Sequence, residues 1–144
     1  MPGRSPPATP DSWDHRSPTS GEADTTASPA ARAVLAEAEA ALGEKIGALI
    51  ANGPADALER TEQAQPAILI ISIALLEAAR VRAAARGETR EVPNFAAGHS
   101  AGQYAAAVAA GALSIGDAVK LARTRGDLMQ TSGGGRPGAM AAIL

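Results

Sequence analysis

Cysteine is absent from this 144-residue chain, which excludes a disulfide framework, a cysteine nucleophile and thiolate metal sites. Aromatic side chains make up only 2% of the residues although 46% are apolar, so the core must consist mainly of alanine and branched aliphatic side chains. Such a composition favours closely packed helices. The chain also lacks a strong excess of either charge, since 13 basic and 15 acidic residues leave a net charge of -2. We therefore expect no nucleic-acid partner.

Long apolar runs are missing as well. The longest one, Ala67 to Leu76, is interrupted by Ser72 and is shorter than the roughly 18 to 20 residues of a membrane-spanning helix. The N-terminus carries no apolar segment of the kind found in signal peptides. The sequence therefore predicts a soluble, cytoplasmic protein without a membrane partner.

Two regions differ sharply in composition. Residues 1–28 are rich in Pro, Ser, Thr, Gly and Asp and are expected to form a disordered tail, because they cannot bury enough apolar surface to offset their ordering entropy. Residues 29–144 carry helical patterns that begin at Ser28-Pro29, near Ile46, near Thr61, at Gln103 and at Ser114. We expect Thr61 to cap its helix, Pro66 to lie in the first turn, and Leu128 and Met129 to face inward from the last helix.

Two short segments have the pattern of buried strands. Residues 92–97 form an apolar run that ends at Gly98, and residues 138–144 form a second one after a glycine-rich loop. Strands that alternate with helices predict an α/β fold, in which helices flank a parallel sheet.

The sequence Gly98-His99-Ser100-Ala101-Gly102 lies between the first predicted strand and a helix. A Gly-x-Ser-x-Gly turn in that position holds its serine in a strained conformation at a helix N-terminus, where developing negative charge is favoured. Ser100 is therefore the candidate nucleophile, and Gly98 and Gly102 are expected to make room for the turn. We expect His99 to support the turn rather than act as the base, because adjacent side chains point in different directions.

Arg125 is the second candidate for a site. It lies on the helix that follows Ser114, among other charged residues, and two interpretations are open. An arginine in such a helix is commonly a solvated surface charge. Its planar guanidinium is also the best side chain for bidentate binding of a substrate carboxylate.

Successive blocks of the chain resemble the malonyl-CoA:acyl-carrier-protein transacylase family. They are TEQAQPA (61–67), GHSAGQYAA (98–106), AAGALS (109–114), RTRGDLMQ (123–130) and GAMAAI (138–143). The resemblance implies that Ser100 accepts the malonyl group, that Arg125 pairs with its free carboxylate, that the Ala101 N–H contributes to the oxyanion hole and that Gln65 lies near the site. It also implies malonyl-CoA as substrate, acyl carrier protein as partner and no bound cofactor or metal.

The resemblance also has departures. Ala101 stands where a larger apolar residue is common, and Gln103 where glutamate is usual. The family's opening Pro-Gly-Gln-Gly-Ser-Gln turn, its general-base histidine and its closing glutamine have no counterpart in this sequence. We accordingly expect residues 29–144 to form an incomplete acyltransferase large subdomain with a partial α/β-hydrolase-like sheet, truncated at both ends and without the ferredoxin-like small subdomain.

Three functions remain to be compared. The first is transfer of malonyl from CoA to acyl carrier protein through a serine ester, in fatty acid or polyketide biosynthesis. The second is a non-catalytic remnant or binding module of the same fold, because no base follows Ser100. The third, an esterase of the α/β-hydrolase type, lacks support because no histidine follows His99 in the sequence.

Overall fold

A computed structural model of the chain describes residues 28–88 and 94–132. Within those ranges it contains α-helices and no β-strand. The helices are α1 (Pro29–Leu42), α2 (Ile46–Asn52), α3 (Ala55–Glu59), α4 (Thr61–Ala85), α5 (Gly102–Ala109) and α6 (Ile115–Ser132).

Helix α4 is the centre of the described fold, because it contacts each of the other five described helices. Helices α1 and α6 pack against it and against each other. The shared core consists of small and aliphatic side chains, as the shortage of aromatic residues predicts: Ala31, Val34, Ala38, Ile46, Ala67, Leu69, Ile70, Ile73, Ala74, Ala78, Ile115, Ala118, Val119 and Ala122. Burial of these side chains supplies the main stabilising free energy of the helical unit.

The predicted sheet remains a prediction. Asn94 to Ala97, the second part of the first predicted strand, is non-helical and exposed. The tail over residues 1–27, the start of that strand and the predicted strand Gly138 to Leu144 lie outside the described residues. None of the helices within residues 28–88 and 94–132 combines the length and hydropathy that a membrane span requires.

The start of α4 differs from the sequence prediction at two positions. Arg60 is the N-cap residue and Thr61 is the first helical residue, so the expected capping role of Thr61 is wrong. The Thr61 hydroxyl instead accepts a hydrogen bond from the Gln65 side chain at 2.8 Å. Pro66 lies inside the helix beyond its first turn, where its missing N–H deprives the Glu62 carbonyl of the usual helical donor.

Helix α6 begins as the sequence predicts, but its last turns bury a different face from the predicted one. The Asp117 N–H donates to Ser114 Oγ at 3.0 Å, which caps the helix, and Ser114 Oγ donates to the Asp117 carboxylate at 2.8 Å. A full capping box would instead have that carboxylate accept from the Ser114 backbone N–H. The predicted inward stripe is wrong in its last turns, because Leu128 is 64% exposed and Met129 39%. Gly126 is buried there instead, against the start of α4.

Candidate active site

Ser100 has the backbone strain that the glycine-serine motif predicts. Its φ is 52°, and it is the one non-glycine residue with positive φ among the residues that the structure describes. A left-handed conformation costs a residue with a Cβ roughly 1–2 kcal/mol. Ser100 is exposed and immediately precedes α5, so the strained turn presents the hydroxyl at the surface beside a helix start.

The two glycines of the motif have different roles. A Cβ on Gly98 would lie 2.0 Å from the Gly102 carbonyl oxygen and 2.5 Å from the Gln103 nitrogen, so no side chain fits at Gly98. A Cβ on Gly102 would meet no described atom within 4 Å. The backbone therefore leaves no space for a side chain at Gly98 and leaves open space at Gly102.

Arg125 lies beside Ser100. Its Nη2 donates to Ser100 Oγ at 3.1 Å across 25 residues of sequence, and its Nη1 donates to Gln65 Oε1. The structure thus brings together three predicted site residues, from the turn, from α4 and from α6. The guanidinium points at the Ser100 hydroxyl, which favours the second interpretation of Arg125, in which it is part of a site.

The side chain of Gln65, which accepts a hydrogen bond from Arg125, is itself fixed by two further hydrogen bonds. It is only 6% exposed, and its Nε2 donates to Thr61 Oγ1 at 2.8 Å and to Met129 Sδ at 3.4 Å. Those two bonds fix the orientation of the amide, so its oxygen faces Arg125. A buried amide with both ends occupied cannot rotate without losing hydrogen bonds.

Arg123, on the same helix, makes a second set of contacts. Its Nη2 donates to Gln63 Oε1 at 3.1 Å and to the carboxylate of Glu44, which lies between α1 and α2. The Arg123 side chain is 19% exposed. Sequence reasoning did not single out this cluster, because its members are 60 and 79 residues apart. The sequence signal for these contacts is that Gln63 and Gln65 are two residues apart, as are Arg123 and Arg125.

Glu62 adds negative charge at the start of α4. Its carboxylate receives a hydrogen bond from Arg60 at 2.5 Å and is 10% exposed. Hydrogen bonding to its own backbone N–H, the Arg60 contact and the charge of Arg123 hold the pKa of Glu62 below its ordinary value despite burial. Glu62 is therefore ionised at neutral pH and balances part of the positive charge of the two nearby arginines.

A shallow cleft of about 480 Å³ opens beside Arg125. Its walls come from α5 and α6 and are mostly apolar: Tyr104, Leu121, Thr124, Leu128, Met129 and Ser132, with Arg125 as the charged member. The exposure of Leu128 and Met129, which contradicts the predicted stripe, provides part of this wall. An apolar wall next to one fixed cation suits a ligand with an anionic end.

The turn leaves backbone N–H groups without an acceptor among the described residues, that of Ala101 among them. The N–H groups of Gly102 and Gln103 donate to the carbonyls of His99 and Ser100 at 2.9 and 3.3 Å. Within the described ranges, the Ala101 N–H has no acceptor, and the exposed His99 imidazole makes no hydrogen bond. No group of three or more His, Asp or Glu residues suited to a metal ion occurs in residues 28–88 and 94–132.

Comparison with known proteins identifies the class of protein to which this site belongs. Residues 23–144 match the acyl transferase domain family. The chain therefore belongs to that family, and the strained serine turn with an arginine beside it lies in the matched region.

Particular relatives are malonyl CoA-acyl carrier protein transacylases. The one from Bacillus subtilis (strain 168) is 47% identical over 116 residues, which are 81% of this chain and 34% of the relative. The one from Escherichia coli (strain K12) is 45% identical over 123 residues, 85% of this chain and 38% of the relative.

Solved structures give the same result. An acyl-carrier-protein S-malonyltransferase from Bartonella henselae matches with a TM-score of 0.66 and 38% identity, over 78% of this chain and 35% of that one. A malonyl-transacylase in complex with its type II polyketide acyl-carrier protein matches with a TM-score of 0.65 and 40% identity. The match covers 76% of this chain and 34% of that one. The chain spans about a third of the length of these relatives.

Proposed function

We propose that this chain carries the acyl-accepting part of an acyl-carrier-protein S-malonyltransferase site. Ser100 Oγ attacks the thioester carbonyl of malonyl-CoA, a serine ester forms, and the carbon–sulfur bond breaks to release CoA, whose thiol takes the proton. The phosphopantetheine thiol of acyl carrier protein then attacks the ester and removes the malonyl group. The reaction serves fatty acid or polyketide biosynthesis in the cytoplasm and requires no metal and no prosthetic group bound to this chain.

The contact of Arg125 with Ser100 carries this proposal. A malonyl group esterified at Ser100 has a free carboxylate a few bonds away from Oγ, and Arg125 donates to that same oxygen at 3.1 Å. The guanidinium fork can therefore move from Oγ to the substrate carboxylate over a short distance. Gln65 keeps the arginine at that position through its own buried contacts.

The backbone around Ser100 suits the same step. The attack places negative charge on the former carbonyl oxygen, and backbone N–H groups at a helix start stabilise such charge. We propose the Ala101 N–H as one oxyanion donor, since its N–H lacks an acceptor among the described residues. Gly98 supports the turn because it has no Cβ to collide with the Gly102 carbonyl. His99 supports it through its carbonyl, which accepts a hydrogen bond from the Gly102 N–H.

We also propose that the helices pack in the complete fold against the parallel sheet that the sequence predicts. Several large apolar side chains of α4 remain exposed in the described part, among them Ile68 at 54%. The likeness to malonyltransferase structures, with TM-scores up to 0.66, supports this extension of the fold.

A second candidate function is a non-catalytic member of the family. The 144 residues contain two histidines, His15 and His99, and the imidazole of His99 makes no hydrogen bond among the described residues. Loss of the base in a serine hydrolase lowers kcat on the order of a million-fold. We therefore propose that these 144 residues alone bind malonyl-CoA and complete no efficient catalytic cycle.

Calorimetric titration of the full chain with malonyl-CoA and acetyl-CoA tests the carboxylate site. A charge-assisted hydrogen bond contributes about 1.5–3 kcal/mol, so malonyl-CoA should bind about ten- to a hundredfold more tightly. Arg125→Met should abolish that preference. Arg80→Met is the matched control, since Arg80 is an exposed arginine of α4 that pairs with Glu77. Equal affinities for the two ligands would refute malonyl recognition.

Intact-mass measurement after incubation with malonyl-CoA separates the two candidate functions. Slow addition of one malonyl group, absent in Ser100→Ala, is expected if Ser100 accepts malonyl without an efficient base. Rapid stoichiometric acylation would overturn the proposed inefficiency and retain Ser100 as the acceptor. Acylation that persists in Ser100→Ala would overturn the role of Ser100.

A further inference from the structure

Two arginine–glutamine pairs lie on either side of the crossing of α4 and α6. Arg123 donates to Gln63, and Arg125 donates to Gln65. Residues two apart in a helix point about 200° from each other, so the two pairs face opposite sides of the crossing. Gly126 contacts the backbone of α4 between them. The rotation of α6 at the crossing is thereby fixed from both sides.

The Arg123 side of this arrangement has no role in the proposed chemistry. Arg123 Nη2 is 3.1 Å from Gln63 and also contacts Glu44, so one guanidinium connects α6, the start of α4 and the α1–α2 connection. Arg123 Nε is buried and has no hydrogen-bond partner among the described residues. The Arg123 side chain is only 19% exposed, so exchanging these acceptors for water is unfavourable, and its two bonds hold α6 in one orientation.

We propose that Arg123 is a positioning residue for Arg125. By anchoring α6 to Gln63 and Glu44, it sets the rotation at which the Arg125 guanidinium reaches Ser100 Oγ and, in the proposed function on which this inference rests, the substrate carboxylate. Misplacement of such a group by about 1 Å can cost about a hundredfold in rate or recognition. Arg123 touches neither Ser100 nor the cleft, so it acts only through Arg125.

The first test compares ligand preference in matched variants of the full chain. Arg123→Met keeps the aliphatic stem and removes the donors, Arg123→Lys keeps the charge and one donor group, and Arg80→Met is the control for loss of a surface arginine. We expect Arg123→Met to lower the malonyl-CoA over acetyl-CoA preference by about tenfold with acetyl-CoA affinity within twofold of the parent. Arg123→Lys should recover part of the preference, and Arg80→Met should retain all of it.

A merely structural role for Arg123 gives a different result. Both affinities would then fall together, in proportion to the folded fraction measured by urea unfolding of each variant. That outcome, or an unchanged preference in a folded Arg123→Met, overturns the inference.

The second test does not depend on malonyl recognition. NMR of the arginine guanidinium groups reports rotation about the Nε–Cζ bond, which the contacts of Arg125 with Gln65 and Ser100 slow. Arg123→Met should accelerate that rotation of Arg125 by about tenfold, because a shifted helix weakens those hydrogen bonds. If the parent chain shows no preference for malonyl-CoA, the proposed function fails while this measurement still decides the positioning role. Unchanged rotation in folded Arg123→Met would refute it.

Discussion

Gly126 of α6 lies directly against the backbone of Glu62 in α4. A Cβ at Gly126 would be 2.5 Å from the Glu62 Cα and 2.8 Å from the Thr61 carbonyl oxygen, distances that no side chain tolerates. The two helices therefore approach as closely as their backbones allow. That approach brings Arg125 within reach of Gln65, and Arg123 within reach of Gln63.

Gly126→Ala should force the two helices apart. Because the obstructing atoms are backbone, we expect a loss of about 1–3 kcal/mol in the free energy of unfolding, measured by urea titration. Gly116→Ala is the control on the same helix, since its Cβ would meet Ala41 Cβ at an ordinary 3.4 Å. That variant should be neutral or more stable by up to about 1 kcal/mol. Equal effects of the two substitutions would contradict the close crossing.

The two glycines of the serine turn should respond differently to alanine. Gly98→Ala places a methyl group on the Gly102 carbonyl and should disrupt the turn, with loss of acylation at Ser100. Gly102→Ala meets nothing described within 4 Å and lies in the first turn of α5, so the turn should survive. Intact-mass detection of acylation, together with thermal unfolding, distinguishes the two. A Gly98→Ala variant that retains acylation would show that the turn is not this tight.

Substitutions of Ser100 measure the strain in its backbone. Ser100→Gly and Ser100→Ala both remove the hydroxyl, but only glycine adopts a φ of 52° without strain. We expect the glycine variant to be more stable than the alanine variant by up to about 1 kcal/mol, after allowance for its larger entropy when unfolded. At Ala101, with φ of -63°, glycine should instead destabilise by about 0.5–1 kcal/mol. Urea unfolding that gives the same sign at both positions would contradict a strained Ser100.

The ionisation of Glu39 should make the free energy of unfolding depend on pH. Its carboxylate accepts from Lys45 at 2.8 Å and from the Gly47 N–H at 3.1 Å, and these contacts, the Lys45 hydrogen bond above all, hold the pKa of Glu39 below its ordinary value of 4.5. A lowered pKa means that the stabilisation is complete well above pH 4.5 and disappears as the pH falls below it.

The variant Glu39→Gln isolates that contribution. The parent chain should exceed it in free energy of unfolding by on the order of 1 kcal/mol or less at pH 7, since Lys45 is exposed to solvent. The difference should shrink as the pH falls below 4.5, where the Glu39 carboxylate of the parent begins to take up its proton. Glu37→Gln, at an exposed position of the same helix, is the matched control for the substitution itself. A difference that grows with acidity would have the wrong sign for this explanation.

Local signals in the sequence predict most of the helices. Ser114 caps α6 through the Asp117 N–H, as their spacing predicts, and Gly43 ends α1 with a φ of 72°. Errors arise where tertiary contacts compete with local preference. The Thr61 hydroxyl accepts a hydrogen bond from the Gln65 side chain and does not cap the helix. The short α3 (Ala55–Glu59) escaped prediction because it buries no residue and has no periodic pattern.

The candidate site is predictable to a smaller extent. The Gly-x-Ser-x-Gly turn predicts the strain at Ser100 from local chemistry alone, and the family resemblance implies a role for Arg125. No local pattern predicts that Gln65 holds Arg125 or that Arg123 contacts Glu44, because these contacts depend on how close α4 and α6 approach. Leu128 and Met129 follow a helical apolar stripe and yet line an open cleft, since Gly126 takes the buried position.

Ser100 and Arg125 lie in parts of the structure that differ in burial. Helix α5 buries none of its residues and residues 94–100 are exposed, whereas α6 buries Ile115, Ala118, Val119, Ala122 and Gly126. Segments with few buried contacts open locally at a low free energy, and core helices open only with the whole unit. The serine segment can therefore open locally while the backbone of α6 stays in place, and amide hydrogen exchange should be fast around Ser100 and slow along the buried face of α6.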